Sequence, residues 1–256
     1  YSIEELAQKS TFEETSYLLL FGELPTSAQL KEFTSKVTQY RDLPEELVSI
    51  LKALPKHTRP MDVLQMAVSS LGTFYDLEVS PEKVKGKKYD EKYFLNTSAA
   101  LIGALGSIVA AWHRIRNGDE PISSKPDCTY AENFLHILGA EKITPLMTRI
   151  MDATLVLHGE HTINASTFTA MVTSSTLANA SQVVASAIGS LSGPLHGGAN
   201  EKVIAMLQKI QSKEEIRPWL DETLKAKNVV WGMGHREYSV KDPRANILTD
   251  MVQELF

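Results

Sequence analysis

The chain has 256 residues, enough for one large domain or for a large domain with part of a second. Hydrophobic residues make up 43% and charged residues 22%, the balance of an ordinary globular protein. The formal net charge of −5 excludes an overall basic field able to recruit nucleic acid, and leaves only local basic groups for a phosphorylated ligand.

Helical apolar spacing runs through nearly all of the chain, which opens at Tyr1 directly into an amphipathic pattern. Ser10 and Thr11 are candidate caps for a helix through Tyr17 and Leu20, with Glu13 and Glu14 near its positive end and Gly22 as its stop. Pro25 and Thr26 start the next helix, Ser27 to about Tyr40. Others are expected from Leu47 to Leu54, and from Pro60 and Met61 to Leu71 or Tyr75. The polar stretch Asp76–Asp90, with Lys83, Lys85, Lys87 and Lys88, reads either as a solvated loop or as a contact for the phosphate of an acyl carrier.

A long apolar helix follows, from Tyr93 to about Arg116. No run of about 20 apolar residues occurs there or elsewhere, so no membrane span is expected. The loop 117–129 holds Cys128, the only cysteine, in a polar setting with no adjoining basic partner, as befits an incidental thiol. A lone cysteine excludes an intramolecular disulfide. With no secretory leader in view, a reducing compartment is expected, and the protein is expected to be cytoplasmic.

Another helix is expected over Ala131–Leu138. From Ala165 to Ser192 the chain is crowded with Ala, Ser and Thr, interleaved with Met171, Leu177, Val183, Val184, Ile188 and Leu191. Small side chains let helix backbones approach closely, which suits a tightly packed helical core or a helix–helix subunit interface. Ser and Thr are middling helix formers, so tertiary contacts must hold these helices. A helix restarts near Glu201 and runs through Leu207, and Asn228–Trp231 reads as a short strand, too little for a sheet. Asp250 and the last residues, Gln253–Phe256, fall inside a final helical pattern. The expected fold class is all-α.

Of seven histidines, His57 lies in a turn and His113 and His136 on helices, in settings that suit structural or surface roles. Four lie in unusual settings. His158 and His161, in His-Gly-Glu-His-Thr-Ile-Asn-Ala-Ser, are three apart and would share one face of a helix, a spacing for a metal pair or for two structural histidines. It is not the four-residue spacing of zinc proteases. His196, in Ser-Gly-Pro-Leu-His-Gly-Gly-Ala-Asn, has a proline and three glycines around it and stands just before a helix start. A neutral imidazole there can donate to a developing enolate. His235 follows Gly232-Met233-Gly234 and precedes Arg236, with Asp242-Pro243-Arg244 further on. His235 with Arg244 would suit a keto acid, one polarising the carbonyl and the other clamping a carboxylate. No βαβ unit surrounds the Gly-x-Gly, so it is not a dinucleotide fingerprint.

Together these three segments resemble the citrate synthase family. The resemblance extends to Phe21-Gly22-Glu23-Leu24-Pro25-Thr26, to His57-Thr58-Arg59-Pro60-Met61-Asp62-Val63-Leu64 and to Arg116-Asn117-Gly118, and so covers essentially the whole chain. The run from His161 to Ser166 is of the bacterial type. The resemblance implies the citrate synthase fold, with a large helical domain over 1–197 and part of a small domain over 198–256. It implies a homodimer or higher homo-oligomer that condenses acetyl-CoA with oxaloacetate and hydrolyses the citryl-CoA formed, with no permanently bound cofactor and no metal. The close relative that uses propionyl-CoA to make 2-methylcitrate is similar enough to stand as an alternative.

By position, the resemblance implies that His196 stabilises the enol of acetyl-CoA and that His235 polarises the oxaloacetate carbonyl. His161 and Arg244 would hold oxaloacetate, Ser166 would orient His196, and the backbone of Val230, Trp231, Gly232, Met233 and Gly234 would recognise the CoA adenine. The family's base, an aspartate in an Asn-Val-Asp motif, is not among these residues; nor are two further substrate arginines, one from the partner subunit. Asp242 and Asp250 do not take its place. The 256 residues by themselves are therefore expected to be inactive, which leaves a non-catalytic assembly module of the same fold as a further reading. A metal-dependent hydrolase using His158, Glu160, His161 and His196 is the reading from another class.

Overall fold

The computed structural model describes residues 1–77, 91–234 and 239–254, and these form helices without a strand. The helices are α1 (Ile3–Lys9), α2 (Phe12–Phe21), α3 (Ser27–Gln39), α4 (Glu45–Ala53), α5 (Pro60–Ser70, extended by the 3-10 turn Leu71–Thr73), α6 (Glu91–Asn117), α7 (Tyr130–Leu138), α8 (Pro145–Leu157), α9 (Ala165–Ser174), α10 (Ala180–Leu191), α11 (Ala199–Leu207), α12 (Lys213–Lys225) and α13 (Pro243–Gln253). The all-α expectation holds. The lysines Lys83, Lys85, Lys87 and Lys88 lie outside the described residues.

Local chemistry sets the early boundaries. Thr11 and Glu14 form a reciprocal capping box at α2, and Thr26 and Gln29 form another at α3, so orphan amide donors at both N-termini are satisfied. Gly22 ends α2 in the left-handed region. One expected element is corrected. Asn228–Trp231 is not a strand: Asn228 N–H bonds back to Thr223 O at the end of α12, and Lys227 (φ 55°) and Gly232 (φ 87°) turn the chain on either side. Among the described residues no strand lies alongside to pair with it, and four residues cannot hold an extended form alone.

The core is built around α6. Leu47 and Leu51 of α4, Val63, Ala67 and Val68 of α5, and Ala185 and Ile188 of α10 pack with its Ala104, Ile108, Ala111, Trp112 and Ile115. On its other side Tyr17, Phe33, Val37, Ala99 and Tyr130 form a second cluster. Helices α3 and α6 cross so closely that a Cβ at Gly103 would lie 2.5 Å from Val37 O; only glycine fits. The expectation that no stretch is apolar over a membrane-spanning length is corrected by composition alone. By length and composition α6 is long and apolar enough to cross a membrane, but it packs against protein on two sides, with half of its apolar window buried.

A third cluster joins the chain's ends: Ala7 of α1 packs with Val156 and Leu157 of α8 and with Ile247 and Leu248 of α13. Beyond residue 198 burial thins. Helices α11 and α12 bury no residue, and Ile204, Leu207, Ile216 and Leu224 are exposed.

Asp152 on α8 accepts a hydrogen bond from Phe12 N–H (3.1 Å) at the start of α2. Burial pushes its carboxyl up to about 6; the Phe12 amide opposes this and the charges of Glu13 and Glu14 add to it. Between the ordinary carboxylate value and about 6 the folded chain therefore holds a proton at Asp152 that the unfolded chain has released. The ionised group costs stability, and that cost grows with rising pH and is complete above about 6. Asp152→Asn keeps the acceptor and removes the charge. Its urea midpoint is expected to exceed that of the parent at pH 7, with the difference closing near pH 4; an equal gain at both values would break the link to ionisation.

Candidate active site

Two helices and a glycine turn bring His196 to Ser166. Helices α9 and α10 form an antiparallel pair tied by Thr173 Oγ1 and Ser186 Oγ (2.9 Å), and α10 is anchored in the core through Ala185 and Ile188. After α10 the chain coils tightly: Gly197 N–H bonds to Leu191 O (2.9 Å), while His196 N–H and Gly198 N–H both bond to Gly193 O. A Cβ at Gly197 would stand 2.6 Å from Leu191 O, so the turn closes only with glycine there. Leu195, beside the half-buried His196, is 97% exposed. Ser166 stands in the first turn of α9, whose N-cap Asn164 accepts from Thr167 N–H. Its Oγ lies 2.8 Å from His196 Nε2. A hydroxyl donating to Nε2 leaves the ring proton on Nδ1, where it can be given to a carbonyl oxygen.

A second group forms where α8 ends and α13 begins. Asp242 caps α13, accepting from Arg244 N–H (2.9 Å), with Pro243 at the first helical position. The same carboxylate takes the Arg244 side chain, from Nε at 3.0 and 3.1 Å and from Nη2 at 2.6 Å. Arg244 Nη1 reaches Leu157 O at 3.5 Å. Asp-Pro-Arg is thus a cap, a helix starter and a guanidinium fixed in one plane. The Arg244 hydrogen bond holds the Asp242 carboxyl below its usual range against the opposing effect of burial, helped by the charges of Arg244 and His161. An aspartate held ionised in this way is a weak general base.

His161 therefore lies near Asp242, in the exposed turn after α8. In that turn Thr162 adopts φ 55° and its N–H meets the Glu160 carboxylate. The shared helix face expected for His158 and His161 does not exist: α8 stops at Leu157, His158 caps it with Nδ1 2.6 Å from Thr154 O, and His161 follows in the turn. Among the described residues no three His, Cys, Asp or Glu side chains gather as a metal site.

Val230, Trp231, Gly232, Met233 and Gly234 form a turn against α11, closed by Met233 N–H to Val230 O at 3.2 Å. Gly232 and Gly234 both take positive φ (87° and 81°), and Val203 of α11 faces Gly232. His235 lies outside the described residues. Sequence reasoning passed over Lys202, whose Nζ stands 4.2 Å from the centroid of the Trp231 ring; no motif marks it, and only its place on α11 brings it there.

A family profile described as "Citrate synthase, C-terminal domain" matches residues 1–256. The chain belongs to the citrate synthase family. It is 43% identical over 254 residues to the citrate synthase of Synechocystis sp., covering 99% of this chain and 62% of that protein. It is 37% identical to the 2-methylcitrate synthase of Shewanella oneidensis, covering 100% of this chain and 65% of that one. Among solved structures it is similar to the citrate synthase of Thermoplasma acidophilum in ternary complex with carboxymethyl coenzyme A and oxaloacetate. The TM-score is 0.86 at 28% identity, over 100% of this chain and 65% of that one. The chain thus spans 62 to 65% of the length of these relatives. The Gly-Pro-Leu-His turn and the Asp-Pro-Arg cap are the citrate synthase segments on which the resemblance was first read.

Proposed function

We propose that this chain is part of a citrate synthase that condenses acetyl-CoA with oxaloacetate, giving citrate and CoA through an enol intermediate and hydrolysis of citryl-CoA. The observation that carries the reading is the Ser166 Oγ–His196 Nε2 contact of 2.8 Å, which with the hydroxyl donating puts the ring proton on Nδ1, as a donor to a substrate oxygen requires. A methyl group beside a thioester is a very weak acid, so its deprotonation needs a base at carbon and a donor at oxygen together. His196 supplies the donor. The base is assigned to an aspartate outside the 256 residues, so these residues alone are expected not to turn over.

The enol carbon then attacks the keto carbon of oxaloacetate, and the oxygen there takes a proton as its π bond breaks. His235 is assigned to polarise that carbonyl, and His161 and Arg244 to neutralise the carboxylates. Asp242 fixes the Arg244 plane in a way that suits a two-oxygen grip. Water finally cleaves the thioester and releases CoA. Acetyl-CoA is a cosubstrate, and no resident cofactor or metal enters the scheme. The backbone of 230–234 is assigned to the CoA adenine.

The fall in burial over α11 and α12 supports division into a large helical domain over 1–197 and part of a small one over 198–256, with α13 of the second packed against α1 and α8 of the first. A homodimer or higher homo-oligomer is supported by the exposed apolar side chains Phe168, Met171 and Val172 of α9. Cytoplasmic placement completes the reading. The 37% identity to a 2-methylcitrate synthase favours a second substrate, propionyl-CoA. Full-length protein assayed with oxaloacetate and each acyl-CoA decides between them: faster turnover with acetyl-CoA is expected, a propionyl-CoA preference moves the assignment to 2-methylcitrate, and activity with neither removes both and favours a non-catalytic assembly role.

A further inference from the structure

Among the described residues three that are not glycine take positive φ: Thr162 (55°), Leu177 (59°) and Lys227 (55°). Two of these have an ordinary cause. Lys227 closes α12 with its N–H on Leu224 O, and Leu177 closes the turn after α9 with its N–H on Ser174 O. Thr162 ends no helix, since α8 stops at Leu157. It is also β-branched, the kind of side chain for which left-handed backbone is most strained. Such a conformation persists only where neighbouring contacts impose it.

Those contacts lie on either side. His158 Nδ1 on Thr154 O and Gly159 N–H on Val156 O fix the way out of α8. Asn164 fixes the way into α9, with its N–H on Thr162 O (3.2 Å) and its Oδ1 accepting from Thr167 N–H (3.0 Å). Between them the Glu160 carboxylate accepts from Thr162 N–H and closes a small ring of chain whose middle residue is His161. His161 is exposed, so burial contributes little to fixing it. The charge of Glu160 does not serve the substrate, because a further carboxylate beside a keto dicarboxylate repels it. We propose that Glu160 is a positioning residue: its carboxylate holds Thr162 left-handed and so sets His161 in place for oxaloacetate. The inference rests on the assignment of His161 to oxaloacetate made above. Ser166 is insulated from it, because the Asn164 cap and the pairing of α9 with α10 hold the start of α9 by themselves.

Calorimetric titration of the full-length protein with oxaloacetate, beside steady-state kinetics with oxaloacetate and acetyl-CoA varied in turn, reads the role. Glu160→Ala is expected to raise the oxaloacetate Kd and KM about tenfold while kcat stays within about twofold. Glu160→Gln keeps an acceptor for Thr162 N–H and removes the charge, so it is expected to restore the parental affinity. A glutamine variant as weak as the alanine variant would assign the effect to charge and overturn the proposal. Glycine takes left-handed backbone without strain, so Glu160→Ala combined with Thr162→Gly is expected to recover part of the loss; no recovery overturns the route through the backbone. An oxaloacetate Kd unchanged in Glu160→Ala, or a loss confined to kcat, overturns the proposal outright. Citrate formation by the parent stands apart. Its absence beside the expected changes in Kd removes the condensation chemistry and leaves the positioning role, whereas a parent that does not bind oxaloacetate removes both.

Discussion

His196→Ala in the full-length enzyme is expected to lower kcat by about a hundredfold or more while leaving the KM for oxaloacetate within about twofold. The hydrogen bond matters at one stage of the reaction only. A donor facing a ground-state thioester oxygen gains little, whereas the same donor facing an enolate oxygen meets a nearly full charge, so the lost energy appears in the transition state and not in binding. Steady-state kinetics with both substrates varied separate the two. A raised KM with kcat preserved would move His196 from catalysis to simple binding. Ser166→Ala is expected to act in the same direction and by less, because the serine touches the imidazole and, in the proposed scheme, no substrate atom.

Arg41→Ala is expected to cost about 3 kcal/mol or more of stability, far beyond a surface substitution. Arg41 is 1% exposed and Glu13, beside it, 5%. The guanidinium donates from Nη1 to Cys128 O (3.0 Å), stands over the Tyr130 ring, and sets Nη2 3.8 Å from Glu13 Oε1, a Coulombic contact too long for a hydrogen bond. Glu13 Oε1 in turn accepts from Tyr130 N–H (2.7 Å) at the start of α7. Removing the arginine leaves a carboxylate buried without its counter-charge and opens a cavity.

The double variant Glu13→Gln with Arg41→Met removes both causes together. It keeps an acceptor for Tyr130 N–H and fills the space, so it is expected to recover most of the loss. Urea unfolding of the two variants checks this, and a double variant as unstable as Arg41→Ala would show that neither the bare carboxylate nor the cavity accounts for the loss. Burial raises the Tyr130 hydroxyl to about 12, against the Gly106 amide and the Arg41 charge, so it remains protonated through the physiological range as a donor to Ile102 O.

What could be read from the chain divides along the range of the forces involved. Helix starts at Thr11, Thr26 and Pro60 were legible because a cap satisfies amides three residues away, and the stop at Gly22 because left-handed backbone favours glycine locally. The glycines around His196 were legible as a tight turn for the same reason. Asn228–Trp231 misled because its Val-Val-Trp run favours extended backbone, yet a strand exists only with a partner. The spacing of His158 and His161 misled because the end of α8 falls between them and the preceding residues, and periodicity has no meaning past a helix end.

By itself, then, the sequence determined the helical class, the approximate bounds of α2 to α7, the family and the motif positions, all of which depend on residues near one another in the chain, while α8 and α12 carried no signal that marked them. Only the tertiary structure decided that Ser166 meets His196 across 30 positions, that Arg41 lies buried beside Glu13, that α6 spends its apolar surface in a core, and that Lys202 covers Trp231. These depend on which helix faces meet, and that choice is made by burial and close packing over the whole chain, to which no local pattern gives access.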